Sequence, residues 1–153
     1  MLRYTLALRT DAGVDDVSAR LHALLGTPAP AALDVRVSAV THPVLAEELA
    51  EQLGAPATAE VVLAVDTKAP EDEVQHAERA LAVAVARLVV ETDALACLTV
   101  QLDRAVLRRT GSDLVLYAWF TPWSDPEVLL VLPPHTLTDD EQSGLAPGAS
   151  PLT

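Results

Sequence analysis

The sequence predicts a single α+β domain, a two-layer sandwich with a mostly antiparallel sheet of about six strands and helices on one face. Three observations give this prediction. Early and late segments alternate apolar and polar residues with a period of two, as half-buried strands do. The segments between them carry apolar residues at helical spacing. Half of the 153 residues are hydrophobic, which is enough to form a core without disulfide staples.

Three early segments are predicted strands with one solvated face. Tyr4, Leu6 and Leu8 alternate with polar residues, and the same pattern recurs in LDVRVSAV (33–40) and EVVLAVDT (60–67). Charged side chains on the alternate positions are typical of an antiparallel or mixed sheet that is covered on one side.

Two helices are predicted between these strands. The first carries a stripe of apolar residues over positions 14–25 and ends at Gly26. The second begins at Pro43, since proline suits the first turn of a helix, and ends at Gly54.

The longest helix is predicted from about Pro70 to Thr92. Only Arg87 is charged between residues 80 and 90, so this helix is expected to lie centrally on the sheet. The run Glu71-Asp72-Glu73 at its start meets the positive end of the helix dipole. Capping with a solvated face is the commoner interpretation of such a run, and a docking site for a basic partner is the other.

The period of two returns after residue 93. ALACLTV (94–100), RAVLRR (104–109) and DLVLYAW (113–119) are predicted strands, and Thr110–Asp113 is a predicted hairpin turn between the last two. SDPEVLLVL (124–132) fits a short helix or a last strand, and its Ser-Asp-Pro start favours a helix. The predicted domain covers residues 1–135, and residues 136–153 are predicted to be a flexible, acidic tail containing proline and glycine.

The charge of the chain restricts its partners. It has 22 acidic and 10 basic residues, a net charge of −12, and no positive side chain other than histidine after Arg109. Such a field repels phosphate backbones, so nucleic acid and anionic membrane surfaces are not expected as partners. It would attract a basic protein, although solubility is the commoner reason for an acidic surface.

The chain is predicted to be cytoplasmic. A single cysteine, Cys97, excludes an intrachain disulfide and is expected to be a small buried thiol. The first ten residues lack the apolar core of a signal peptide, and no apolar run approaches the length that spans a bilayer.

Sequence motifs of catalysis are missing, so no catalytic residue, metal or cofactor is predicted, and the chain is expected not to be an enzyme. There is no GxGxxG, P-loop, GxSxG or HExxH motif. One metal-like pair, Glu73 and His76, forms an ExxH on a helix, but the second such motif of a di-iron site is missing. A Ser-His-Asp triad stays open, because its members need not be close in sequence.

Aromatic residues are concentrated in one stretch. Four of the five lie in YAWFTPW, from Tyr117 to Trp123. Tyr117 and Trp119 are predicted to share a strand face that covers the core. Phe120 and Trp123 lie on the following turn, and Trp123 is predicted to be the most exposed. Because tryptophan and other aromatic residues are enriched at binding hot spots, Trp119, Phe120 and Trp123 are candidate partner-binding residues, together with Glu71, Asp72 and Glu73.

The order of these elements resembles that of the Sit-type immunity proteins. The resemblance rests on a strand beginning at Tyr4, a long helix ending in Glu91-Thr92-Asp93, ALACLTV, RAVLRRTGSDLVLY and a nearby tryptophan; it is best over residues 63–123. The resemblance implies a cytoplasmic, non-enzymatic bacterial protein that binds and blocks a toxin exchanged between neighbouring kin cells. No functional residue carries over.

This chain departs from the family pattern in two places. A glycine is expected beside Asp93, where Ala94 stands. An Asn-Gly-like turn is expected between the first two late strands, where the chain has Leu102-Asp103.

Three hypotheses for function follow. The first is an immunity protein that binds a basic toxin through its acidic surface and aromatic patch. The second is a small enzyme or ligand-binding domain, with a pocket between the sheet and the late hairpin lined by Tyr117 and Trp119, and with His22 or His42 beside a buried carboxylate. The third is a homodimer formed through the exposed edge of the last hairpin, so monomer and homodimer both stay open.

Overall fold

A computed structural model describes residues 1–139, and its elements follow the predicted order. The strands are β1 (Leu2–Arg9), β2 (Leu33–Ala39), β3 (Ala59–Val65), β4 (Leu95–Val100), β5 (Arg104–Thr110), β6 (Asp113–Tyr117) and β7 (Thr136–Thr138). The helices are α1 (Val14–Leu25), α2 (Pro43–Leu53), α3 (Glu71–Glu91) and α4 (Pro126–Leu130), with a 3₁₀ helix at Thr121–Ser124 before α4.

The strands form one sheet in the order β2-β3-β1-β4-β5-β6-β7. Every neighbouring pair is antiparallel except β6 and β7. The predicted α+β class with a mostly antiparallel sheet is therefore confirmed.

The seventh strand was not predicted. Thr136–Thr138 lie at the start of the predicted tail, but they pair in parallel with the outer edge of β6. That edge is the one on which the homodimer hypothesis relied, and β7 occupies it within the same chain. Residues 140–153, the rest of the predicted tail, lie outside the described part of the structure.

The main core lies between the sheet and the helices α1 and α3. Leu6 and Leu8 of β1 point into it, as do Leu21 of α1 and Leu81 and Leu88 of α3, and all five side chains are fully buried. The alternation of the strands and the stripes of the helices thus predicted this interface correctly.

The second helix lies on the opposite face of the sheet, so the prediction of helices on one face is wrong for α2. Leu49 of α2 is fully buried but lies outside the main core. The Arg108 guanidinium donates a hydrogen bond to the Gln52 carbonyl oxygen at the end of α2. Arg108 pairs in register with Cys97, and Cys97 with Ala7. The side chains of Ala7 and Cys97 face away from the main core and are fully buried, because α2 covers them.

The turn between β4 and β5 has an unusual backbone. Gln101 (φ 56°) and Leu102 (φ 58°) both lie in the left-handed region, and the Asp103 N–H donates to the Val100 carbonyl oxygen at 3.1 Å. Asparagine and glycine are the residues that usually occupy such positions. The turn therefore keeps a left-handed geometry without the Asn-Gly pair that would relieve its strain.

Leu102→Gly is expected to stabilise the fold by about 0.5–1 kcal/mol, because a left-handed leucine costs more than the added backbone freedom of glycine. Leu102 is 40% exposed, so little apolar burial is lost. Urea unfolding gives the free energy, and Leu102→Ala, which keeps the Cβ atom, is the matched control. Equal stabilities of the glycine and alanine variants would contradict a strained turn.

Candidate functional site

Three of the clustered aromatic side chains are buried. Tyr117, Phe120 and Trp123 are 2%, 3% and 1% exposed. The Trp123 indole N–H donates to the Val106 carbonyl oxygen at 3.0 Å, and its ring meets Phe120 edge to face with centroids 5.4 Å apart. The prediction that Trp123 is the most exposed member is wrong, because this ring fills the core beneath the 3₁₀ helix. Trp123 is thus not available for direct contact with a partner, and Phe120 can meet one only at the bottom of the groove that it helps to line.

Tyr117 and Trp119 do not share a face. Leu114 and Leu116 of β6 point into the main core, so Tyr117 points to the other side of the sheet. The strand ends at Tyr117 and the chain turns before Trp119. The strand therefore ends two residues before Trp119, so the predicted alternation does not reach that residue.

Trp119 is the member of the cluster that reaches the surface. Its half-buried ring packs against the edge of the main core, and its indole N–H donates to the Ala105 carbonyl oxygen. The Arg104 guanidinium lies over the ring, 3.8 Å from its centroid, in a cation–π contact. The edge of Phe120 supports the ring, with centroids 5.8 Å apart.

A groove of about 390 Å³ opens beside Trp119. It lies where the start of β1, the β4–β5 turn, the first half of α3 and the segment after β6 converge. Its lining combines apolar, aromatic and charged side chains: Leu2, Tyr4, Glu78, Val100, Gln101, Asp103, Arg104, Trp119, Phe120 and Thr121. The strained turn thus forms part of its wall.

A second, more polar depression of about 450 Å³ adjoins the groove. It shares Glu78 and Thr121 with the groove and continues along α3 and the 3₁₀ helix. On its far side Arg79 pairs with Asp125 at 2.9 Å. Glu78 therefore stands between two adjoining concave surfaces.

The position of the Glu78 carboxylate is fixed by Tyr4. The Tyr4 hydroxyl donates to the Glu78 carboxylate at 3.1 Å, and the Tyr4 ring meets Phe120 edge to face with centroids 5.8 Å apart. Burial, followed by the charge and hydrogen bond of Glu78, raises the pKa of Tyr4 well above its ordinary value. Tyr4 therefore stays a neutral donor and holds the carboxylate at the floor of the groove.

Tyr4→Phe tests this pairing through the dependence of stability on pH. An unfolded tyrosine ionises near pH 10, whereas the raised pKa keeps Tyr4 protonated in the folded chain. The contribution of Tyr4 to the free energy of unfolding is thus fully present below pH 10. Above pH 10 it falls by at most about 1.4 kcal/mol per pH unit. We expect the variant to lose about 1 kcal/mol at pH 7 for the missing hydrogen bond, and to have a shallower alkaline slope. Urea unfolding at pH 7 to 11 measures both, and parallel curves would contradict the assignment.

The predicted acidic candidates lie at the same end of the molecule. Glu71, Asp72 and Glu73 form the exposed first turn of α3. The Gln75 amide lies 3.5 Å from the Glu71 carboxylate, and Gln75 and Glu78 follow Glu71 on one line of the helix. That line leads from Glu71 into the depression and the groove, so the structure brings Glu71 towards Trp119. Asp72 and Glu73 lie on other sides of the same turn.

Sequence patterns did not identify the other wall residues. Arg104 begins β5 directly after the β4–β5 turn, and its position beside Trp119 depends on the pairing of β4, β5 and β6. Tyr4 and Glu78 are 74 positions apart. The available sequence signal was weak, namely Leu102-Asp103 at the place where the resemblance predicts an Asn-Gly-like turn.

The histidines do not meet in the groove. His22, His42 and His76 are exposed, and none of the four histidines lines the groove beside Trp119. Tyr117, the other wall of the predicted ligand pocket, does not line it either. Within residues 1–139, no group of three or more histidine, cysteine, aspartate or glutamate residues has an arrangement that fits a metal ion. No helix in this range has both the length and the apolar character needed to cross a membrane.

Comparison with known proteins gives one finding. A family model described as SitI3-like matches residues 2–127, from β1 into α4. No curated protein and no solved structure matches the chain. The match includes the whole groove beside Trp119 and the acidic first turn of α3.

Proposed function

Because the chain belongs to the SitI3-like family, we propose that it is an immunity protein that binds a toxin and neutralises it. The family match over residues 2–127 carries this proposal. Neutralisation by binding requires a complementary surface and no catalytic group, so the proposed activity is non-enzymatic and needs no cofactor. We propose that the chain binds the toxin in the cytoplasm, where a toxin delivered by a neighbouring cell would act.

The proposed binding surface joins Trp119 to the first turn of α3. Trp119 offers a large, half-buried ring whose position is fixed by Ala105, Arg104 and Phe120. Aromatic side chains in this setting are the common anchors of protein interfaces. Glu71 and the groove continue the same surface along α3.

Charge supports a basic toxin as the partner. The net charge is −12, and Glu71, Asp72 and Glu73 are exposed together at one end of α3. Such a surface speeds the approach of a basic protein and repels an acidic one, and salt screens both effects. The acidic turn is therefore assigned to steering and Trp119 to anchoring.

Co-expression with the products of the neighbouring genes tests the proposal. A tagged chain is expected to co-purify with one basic protein that is toxic when expressed alone, and growth is expected to recover when both are expressed. If no neighbouring gene encodes a toxin and nothing co-purifies from the native host, the proposed function is wrong.

A further inference from the structure

We infer that the groove beside Trp119 receives a single arginine side chain of the partner protein. The inference rests on the proposed function for the identity of that partner and adds which chemical group it presents. The groove, the fixed Glu78 carboxylate and the aromatic floor carry it independently of any family membership.

The size of the groove fits one side chain. Its volume of about 390 Å³ is near the lower end of the range of roughly 300–1,000 Å³ for sites that enclose small organic groups. Tyr4 and Phe120 form a buried aromatic floor, and Leu2 and Val100 add apolar wall. An extended aliphatic stem can bury its methylene groups there.

The polar groups of the groove select a cation for the head of that side chain. Glu78 and Asp103 contribute two carboxylates and Arg104 one guanidinium, which gives the lining a net charge of −1. The Tyr4 hydroxyl holds the Glu78 carboxylate in place, so an incoming cation meets a preorganised acceptor. An anionic group would face these carboxylates and the net charge of −12 of the whole chain.

A guanidinium suits this lining better than an ammonium. It is planar, stacks on aromatic rings and binds a carboxylate with two parallel hydrogen bonds. The chain itself provides an example, since the Arg104 guanidinium lies 3.8 Å from the centroid of the Trp119 ring. The aromatic rings and the Glu78 carboxylate of the groove therefore suit the guanidinium of an incoming arginine.

Nα-acetyl-arginine methylamide is the probe that tests the inference without the toxin. The two indole N–H signals in ¹H–¹⁵N spectra distinguish Trp119, at the rim, from the buried Trp123. We expect a saturable shift of the Trp119 signal at millimolar probe, with the Trp123 signal unchanged. The citrulline analogue, which has the same shape without charge, is expected to bind roughly five- to tenfold more weakly, since a charge-assisted hydrogen bond is lost.

Glu78→Gln is the matched change in the protein, because glutamine keeps an oxygen that can accept from Tyr4. It is expected to weaken binding of the arginine probe by a similar factor. Glu91→Gln removes the same charge from an exposed position at the opposite end of α3, so it is expected to leave the affinity for the probe unchanged. Absence of a Trp119 shift, equal binding of the citrulline analogue, or an unchanged affinity in Glu78→Gln would overturn the inference. Nα-acetyl-lysine methylamide is the third probe, and tighter binding of this lysine analogue than of the arginine probe would overturn the choice of arginine. If the probe fails while the toxin still co-purifies, this inference fails and the proposed function stands.

Discussion

Trp123→Ala is expected to destabilise the fold by about 3–5 kcal/mol, the cost of removing a large aromatic side chain from a core. Trp123 is 1% exposed, donates to the Val106 carbonyl oxygen and contacts Phe120. Its removal would leave a cavity beneath the 3₁₀ helix and an unpaired carbonyl group in β5. Urea unfolding followed by circular dichroism gives the change in free energy. Since small domains are stable by about 5–15 kcal/mol, part of the variant is expected to be unfolded at 37 °C.

Leu130→Ala is the control for this prediction. Leu130 is 84% exposed, and its truncation is expected to change the stability by less than about 0.5 kcal/mol. A Trp123→Ala variant as stable as Leu130→Ala would contradict the placement of Trp123 in the core. Trp123 would then again be a candidate for a surface residue that binds the partner.

Trp119→Ala is expected to weaken toxin binding by at least about 2 kcal/mol, roughly 30-fold, as truncation of an aromatic anchor does. The ring is half-buried and bonded to the Ala105 carbonyl oxygen, so some stability is lost as well. Isothermal titration well below the melting temperature measures affinity alone. The variant's circular dichroism spectrum verifies that it is folded.

Trp119→Phe provides the matched comparison. Phenylalanine keeps an aromatic face for Arg104 but loses the indole N–H, so it is expected to keep most of the affinity. If the alanine variant binds as tightly as the unchanged chain, Trp119 is not an anchor. The binding surface must then lie elsewhere on the molecule.

Most of the fold was predictable because its elements carry strong local patterns. The apolar stripe of α1 matches its buried face, and Leu6 and Leu8 of β1 point into the main core as predicted. The predicted solvated face of β1 is wrong, because Thr5 and Ala7 on its other side are buried as well. The short α4 was favoured by Asp125 before Pro126, and the Asp125 carboxylate does accept the Glu127 N–H at its start. The local sequence pattern therefore identifies these elements without knowledge of their tertiary contacts.

The predictions that were wrong concern which part of the fold an apolar segment packs against. The line of α2 that includes Leu49 specifies a buried stripe but not the side of the sheet, which depends on the small side chains Ala7 and Cys97 opposite it. The short β7 is stabilised by pairing with β6 and has little pattern of its own. Trp123 and Trp119 have similar sequence surroundings, and only the packing of the 3₁₀ helix separates the buried ring from the one at the surface.

The candidate site was predictable only in part. Trp119 and the acidic turn of α3 were chosen from composition and local pattern, and both lie at the same end of the molecule. Tyr4, Glu78 and Arg104 meet Trp119 through strand register and helix packing, which no short window of sequence contains.

Titration of toxin activity with the purified chain tests the central claim most directly. A binding protein neutralises one toxin molecule at a time, so the residual activity is expected to fall linearly and to vanish at one chain per toxin. Complete loss of activity at a small fraction of that ratio would indicate that the chain is a catalyst and not a stoichiometric inhibitor. Full activity in the presence of excess chain would contradict neutralisation itself.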